Sequence, residues 1–437
     1  MLMLHISDIH FKSPECLQPE MDPDYSIRTR MMRDLQDQVK KLGNVGAILI
    51  GGDIAYRAAP SEYQTAQTWI EQLADISGCP KERIFVVPGN HDVDRGVIKA
   101  SVPIQNVQHA ISSAPLQDRE WRLRQQLGDA ASGQLLLEAH AAYNAFAARF
   151  MCQIWPSKPF WHQDIDLEDG VGLSIYGLTS TLLSGREGQD DNKERGLYLS
   201  PLQTALNPAP NTLNMVLCHH PIDWLEDGEA VEDVLNARAA FQVFGHKHKQ
   251  RLIMDPSYVR FSAAAVNPSR GELPYSPGYN LIQLKVAGAG ELRRVDVQVY
   301  QRRLQEVPEM FIAIQSPQRK DFFASSISVP EEGDLCGSSC DSVTAETPVD
   351  KLQDHWTESQ SMQDAEATMG EEDTRDLLYR FWNLSSSQRR QIAVSLSLLK
   401  QGEMKLPEPE RYGRALIRAA QLDIMDKIAA EVAKLEN

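Results

Sequence analysis

Short apolar runs recur through the first 300 residues, and each stops abruptly at a glycine or a cluster of polar side chains. Leu2-Met3-Leu4-His5-Ile6-Ser7, Ala47-Ile48-Leu49-Ile50, Ile84-Phe85-Val86-Val87, Met215-Val216-Leu217-Cys218 and Phe241-Gln242-Val243-Phe244 have the length and content of buried strands. Leu173 to Leu178, Arg260 to Ala264, Tyr279 to Leu284 and Leu292 to Tyr300 read the same way, the last alternating at Val295, Val297 and Val299. Over residues 103–165 the period changes: Leu135, Leu136, Ala139, Ala142, Tyr143, Phe146 and Phe150 recur at helical spacing. A helical insertion is expected there, its stripe packed into the core. If it covers a site instead, Trp155, Phe160 and Trp161 are the side chains able to stack on a base.

The polar residues just past each strand carry the chemistry. After the first run, Asp8 and His10 stand at i and i+2, where an extended chain points both to one side. After the second, Gly51-Gly52 lets the backbone turn and deliver Asp53, a carboxylate able to bridge two cations. Pro88-Gly89 then delivers Asn90, His91 and Asp92. His219-His220 and Gly245-His246-Lys247-His248 end the last two runs. Any one block is an ordinary loop feature. Five in order, each just past a strand's carboxyl end where open α/β sheets hold their ligands, are not explained by packing. Together they offer oxygen and nitrogen donors for two divalent ions side by side. Such a pair, in the range of ~3.5–4 Å apart, makes a nucleophile at neutral pH and clamps both oxygens of an in-line phosphoryl displacement.

In type and order these blocks resemble those of the calcineurin-like metallophosphoesterases, over about residues 1–300. The resemblance implies an α/β fold, a two-sheet sandwich flanked by helices, occupying 1–305. It also implies that Asp8, His10, Asp53 and His248 hold one ion and that Asp53, Asn90, His219 and His246 hold the other. Of His219 and His220, only the family pattern selects His219. His91 corresponds to the non-ligand catalytic histidine, and Asp92 sits beside it as a carboxylate behind the ligands, counted with it in the catalytic group. Arg95, three residues on, is placed to meet substrate phosphate. Where the phosphoprotein phosphatases of this family carry an acidic residue before arginine, this chain has Tyr56-Arg57. The resemblance is thus to the phosphodiesterases and nucleases, and the sequence does not separate cyclic nucleotides from nucleic acid. The mixed donor set suits Mn²⁺, Fe or Zn²⁺ equally.

Charge divides the chain further. Residues 306–373 hold 16 acidic against 3 basic side chains, which is net -13 of the formal -16. The remainder is nearly neutral and not electrostatically barred from nucleic acid. This acidic stretch reads as a disordered linker, and Cys336 and Cys340 within it lack a second ligand pair for zinc. The other four cysteines show no disulfide framework, which suits a reducing compartment. With the first strand starting almost at Met1 and no apolar run of spanning length, a cytoplasmic protein without membrane contact is expected.

Beyond the linker, 374–437 is expected to form a small all-α bundle. Asp376 to Trp382 begins it, and Ser385 or Ser386 caps a helix carrying Ile392, Ala393, Leu396 and Leu399. Pro407 and Pro409 then mark a break before Tyr412 to Ala420 and Ile424 to Leu435. The module resembles death-like, effector-associated adaptor domains, which implies a protein partner or self-association. Two function classes remain open: a dinuclear phosphodiesterase with an interaction module, or a catalytically silent scaffold on the same fold. A silent relative is expected to have lost ligands such as Asp8, Asp53, Asn90 or His248, and none is lost here.

Overall fold

A computed structural model describes residues 1–193, 196–271, 274–331, 371–400, 403, 406 and 408–436. They form two compact units, the first holding 1–331 apart from 148–151 and the second the C-terminal helices. Strands of the first unit are β1 (Leu2–Ile6), β2 (Val45–Ile50), β3 (Ile84–Val86), β4 (Phe160–Asp166), β5 (Gly172–Leu178), β6 (Thr212–Cys218), β7 (Phe241–Phe244), β8 (Arg251–Met254), β9 (Val259–Ser262), β10 (Gly278–Ala287), β11 (Arg294–Glu306), β12 (Glu309–Ala313) and β13 (Phe323–Ser328). They build two mixed sheets. One runs β12-β11-β10-β1-β2-β3 with β13 also on β11, and the other runs β4-β5-β6-β7-β9-β8.

Every residue of β1 is buried, and so is nearly all of β2 and β3, as expected for strands covered on both faces. Two long helices, α1 (Tyr25–Leu42) and α2 (Pro60–Ser77), accompany these strands. Because β1, β2 and β3 are mutually parallel, their carboxyl ends lie along one edge. In the second sheet β6, β7 and β9 are likewise parallel. The sheets meet where Phe85 of β3 stacks on Trp161 of β4 at 6.0 Å and the Trp161 indole N–H donates to the Val86 carbonyl. Ser7 pairs with Ala265 as an isolated bridge, which joins the ends of β1 and β9.

Helix α3 (Arg95–Ala100) comes just before the stretch 103–165 read as a helical insertion, which holds α4 (Val102–Ser112), α5 (Leu116–Gly128), α6 (Ala130–Glu138) and α7 (Ala141–Ala147). The expected apolar stripe is core: Tyr143, Phe146 and Phe150 are all buried. Its expected end at 165 is corrected, since 160–166 is β4 and alternates buried with exposed positions. Trp161 is therefore locked between the sheets and does not face a base. Two short helices, α8 (Pro201–Thr204) and α9 (Gly228–Arg238), complete this unit.

A second correction concerns the acidic stretch. Its first part is ordered sheet: β12 pairs with the end of β11, and β13 pairs with its beginning. Phe311 and Ile327 supply buried positions while acidic and serine side chains face out, so composition alone hid the strands. The rest of that stretch, 332–370 with Cys336 and Cys340, lies outside the described residues. Cys16, Cys79, Cys152 and Cys218 are buried thiols that form no disulfide among the described residues. No helix among the described residues is long and apolar enough to cross a membrane.

The second unit contains α10 (Glu371–Asn383), α11 (Ser386–Ser395), α12 (Glu408–Gln421) and α13 (Met425–Leu435). Ser385 is the cap of α11, exchanging hydrogen bonds with Gln388 in a capping box. Pro409 does not break the chain; it sits in the first turn of α12, where its missing N–H costs no helical bond. Pro407 lies outside the described residues. Leu377, Phe381, Trp382, Ile392, Tyr412, Ile428 and Val432 form the core of this unit.

Candidate metal centre

The five polar blocks converge at the meeting of the two parallel edges. The backbone there is forced into unusual shapes: Asp8, His10, Asp53, His246 and His248 all have φ between 51° and 68°. Non-glycine residues held in this left-handed region cost of order 1–3 kcal/mol each, and such positions gather at functional sites. Neighbouring glycines are present for steric reasons. Gly52 has φ 94°, and a Cβ there would lie 2.6 Å from His219 Nδ1; a Cβ on Gly89 would lie 2.1 Å from Asp53 Oδ1.

On one side of Asp53 stand Asp8, His10 and His248. His10 Nδ1 donates to the Asn267 carbonyl at 3.3 Å, which leaves Nε2 facing Asp53 Oδ2 at 3.2 Å. His248 Nε2 is 3.2 Å from Asp8 Oδ1, and the His246 amide donates to Asp8 Oδ2. On the other side, His219 Nδ1 donates to the Gly51 carbonyl at 2.7 Å, which leaves Nε2 facing the cluster. That nitrogen lies 3.1 Å from Asn90 Oδ1, 3.2 Å from His246 Nδ1 and 3.5 Å from Asp53 Oδ2. Asn90 Oδ1 is in turn 3.1 Å from His246 Nδ1. Electron-rich atoms pointed at one another this closely repel unless a cation or proton lies among them.

Ionisation agrees with metal donors. Burial pushes Asp53 up, but His219, His10 and His91 outweigh it and hold the carboxylate well below its usual range. Burial opposes the charge on Asp8 too, and His248 reverses that effect. His246 is pushed down to about 3 by burial and by His219, so its ring is neutral. His10 moves the other way: burial lowers it, but the hydrogen bond to Asp53 wins and raises it. A proton and a cation therefore compete for the same His10 nitrogen. Three-residue groups able to hold an ion include Asp8, His10 and His248, and Asp8, Asp53 and His219.

His91 stands beside this cluster, 4.9 Å from the His10 ring and stacked on Tyr56 at 4.9 Å. Its Nδ1 donates to the Tyr56 carbonyl at 2.9 Å, and the opposite nitrogen is left for chemistry. Asp92 requires a correction. Its carboxylate does not support His91 but is wholly buried, accepting from the amides of Ile54, Ala55 and Gly89 and from the Tyr63 hydroxyl. Four donors occupy its acceptor sites, so it fastens the Asp53 and Asn90 loops together as a positioning residue. Burial, reinforced by Asp53, pushes it up to about 6. Arg95 does reach the site, with Nη2 3.2 Å from His91 Nδ1 and Nη1 paired with Asp190.

His220 Nδ1 lies 2.8 Å from Ser180 Oγ, and its ring also stands close enough to His219 and His246 for the three to form a group able to hold an ion. Sequence reasoning misses Asn267, which supports His10 and donates to the Ile9 carbonyl. Its signal is present: Val266-Asn267-Pro268 is another polar block just past an apolar strand. Trp224 is missed as well, although its ring meets His246 edge-on at 4.0 Å. A cavity of about 750 Å³ lined by Pro221, Ile222, Leu225, Phe244 and Lys247 includes none of the candidate donors and does not define the site.

Comparison with known proteins agrees with this geometry. Residues 373–434 match the GTPase-associated adaptor domain. Over 232 residues the chain is 20% identical to the uncharacterized metallophosphoesterase-like protein YydB of Bacillus subtilis; the match covers 52% of this chain, and the chain spans 44% of that relative's length. Among solved structures, Vps29 of Chaetomium thermophilum aligns at TM-score 0.29 and 10% identity, covering 76% of this chain and all of that one. GAP50 of Plasmodium aligns at 0.33 and 10% identity, covering 76% and 90%. These structural likenesses are too slight to bear weight. Residues 1–250, more than half of the chain and the part that carries every one of the five blocks, match the calcineurin-like phosphoesterase model, and the chain belongs to that family.

Proposed function

We propose that the protein is a dinuclear metal-dependent phosphohydrolase that cleaves a phosphodiester of a nucleotide or nucleic acid, and that its C-terminal module binds a protein partner or a second copy. The observation that carries the reading is the convergence of His219 Nε2, Asn90 Oδ1 and His246 Nδ1 within 3.2 Å on one side of Asp53, with Asp8, His10 and His248 on the other. Asp8, His10, Asp53 and His248 would hold one divalent ion, and Asp53, Asn90, His219 and His246 the second, with Mn, Fe or Zn as the candidates. When bound, the pair supplies an activated water and charge stabilisation for in-line displacement.

The chain's own groups do the rest. Asp53 holds both halves together and fixes the His91 backbone by accepting from its amide at 2.8 Å. With Nδ1 committed to the Tyr56 carbonyl, His91 presents its other nitrogen to the leaving oxygen and donates a proton there from its doubly protonated form, which burial disfavours. Arg95 offers a guanidinium edge to a non-bridging oxygen. A backbone carbonyl serves as the His91 partner, and a neutral partner stabilises the charged ring less than a carboxylate does. That favours a diester, whose single negative charge needs less compensation than a monoester dianion. The supporting test compares bis-p-nitrophenyl phosphate, a short oligonucleotide and a phosphoserine peptide with added Mn²⁺. Faster release from the peptide contradicts the diester reading.

The match of 373–434 to an adaptor domain supports the interaction role of the helical module.

A further inference from the structure

One carboxylate outside the five blocks touches two of the groups assigned above. Asp190 Oδ1 accepts from Asn90 Nδ2 at 3.2 Å, and Asp190 Oδ2 pairs with Arg95 Nη1 at 2.9 Å. Arg95 Nη2 in turn lies 3.2 Å from the His91 ring. The carboxylate is about half exposed, and Oδ1 also accepts from the Asp191 amide at 3.0 Å. Its loop is pinned at the next residue, where Asp191 Oδ1 accepts from the Gly185 amide at 2.9 Å. Asp190 is reached from Asn90 across 100 residues of chain.

An asparagine amide has one metal-donating end and one hydrogen-donating end. An acceptor-only carboxylate on one side of Asn90 admits only the NH₂ group there, so the carbonyl oxygen must face His219 and His246. We propose that Asp190 is the positioning residue for this centre: it sets the orientation of the Asn90 amide towards the ion held with His219 and His246. This rests on the dinuclear reading. Groups that orient a ligand in this way are worth about 10–100-fold in metal affinity or activity.

The test is calorimetric titration of the metal-stripped full-length chain with Mn²⁺, comparing wild type with Asp190→Ala and Asp190→Asn, followed by kcat and KM on bis-p-nitrophenyl phosphate. In wild type two binding steps are expected. Asp190→Ala should weaken one step about 10–100-fold and leave the other unchanged, because Asp8, His10 and His248 do not depend on the Asn90 amide. Asp190→Asn keeps an oxygen acceptor for Asn90 Nδ2 and should hold both steps within a few-fold, which also covers the case in which the alanine variant fails to fold. The same order is expected in kcat with KM little changed. Wild-type affinities in Asp190→Ala, or an equal loss at both steps, would overturn the proposal, as would equal losses in the two variants. Fewer than two ions on the wild-type chain would bring down the dinuclear reading and this proposal with it.

Discussion

The loop layer of the first unit and the helices of the second are built on opposite principles. In the loop layer, five candidate metal donors sit in left-handed backbone, and Asp8, Asp53, Asn90 and His219 are polar groups buried at 5% exposure or less. In the second unit the core cluster is apolar, and among the described residues its left-handed non-glycine positions are Met151, Ser397 and Asp423, each just past a helix end. A left-handed residue costs about 1–3 kcal/mol, roughly what one fully buried aliphatic side chain contributes. The strands leading into the loops supply that offset, since Leu4, Ile6, Ile48, Ile50, Val86, Leu217 and Val243 are all sealed from solvent. Strain and buried polarity therefore coincide at the candidate metal donors. The helical unit carries such strain only at helix ends among its described residues, and is suited to presenting a surface.

If that contrast is right, the largest effect comes from Asp53→Asn. Removing the shared carboxylate should cut turnover by more than ~10²-fold and lower metal content, while circular dichroism stays that of wild type. His91→Ala should separate from it: both ions remain, measured by elemental analysis, and the rate falls ~10²–10⁴-fold. Loss of metal from this variant would make His91 a ligand. In the helical unit, Tyr412→Ala should cost about 3–5 kcal/mol of that unit's stability, since its ring is fully buried. Hydrolysis of a small diester and metal content should not change. A parallel loss of hydrolysis would break the separation between the units.

The smallest effect is one of pH. Burial pushes His140 down to about 4, so its unfolded form takes a proton first. Stability from the neutral ring is fully present above pH 6.5 and is lost as pH falls from 6.5 towards 4, on the order of 3 kcal/mol in all. Asp92, raised to about 6, acts in the opposite direction. The comparison is therefore wild type against His140→Gln in the metal-free chain, with the variant expected to lose this slope. Residues 371–436 contain no histidine, so no histidine titration acts on their melting across the same range.

The contrast also explains what the sequence discloses. A donor just past a buried strand is visible because the apolar run and the polar block are adjacent in the chain, which is how Asp8, Asp53, Asn90, His219 and His246 stand out. The helical unit is visible through periodicity and the Ser385 cap. What stays hidden depends on contacts that no local pattern encodes. Asp92 sits within a site motif, yet its four donors turn it inward. The Tyr56 carbonyl that holds His91 is a backbone atom. Asp190 lies in an ordinary polar loop. The strands β4, β12 and β13 alternate with charged or polar residues at sheet edges, so a helical stripe and an acidic composition masked them.

The central claim is that the five blocks exist to hold two ions. It is tested most directly by reconstituting the metal-stripped chain with Mn²⁺ or Zn²⁺, removing excess, and counting ions per chain alongside bis-p-nitrophenyl phosphate cleavage. The account expects two ions per chain and hydrolysis that appears with the second and vanishes with chelation. A chain that takes up one ion or none, or that cleaves equally well without metal, contradicts it.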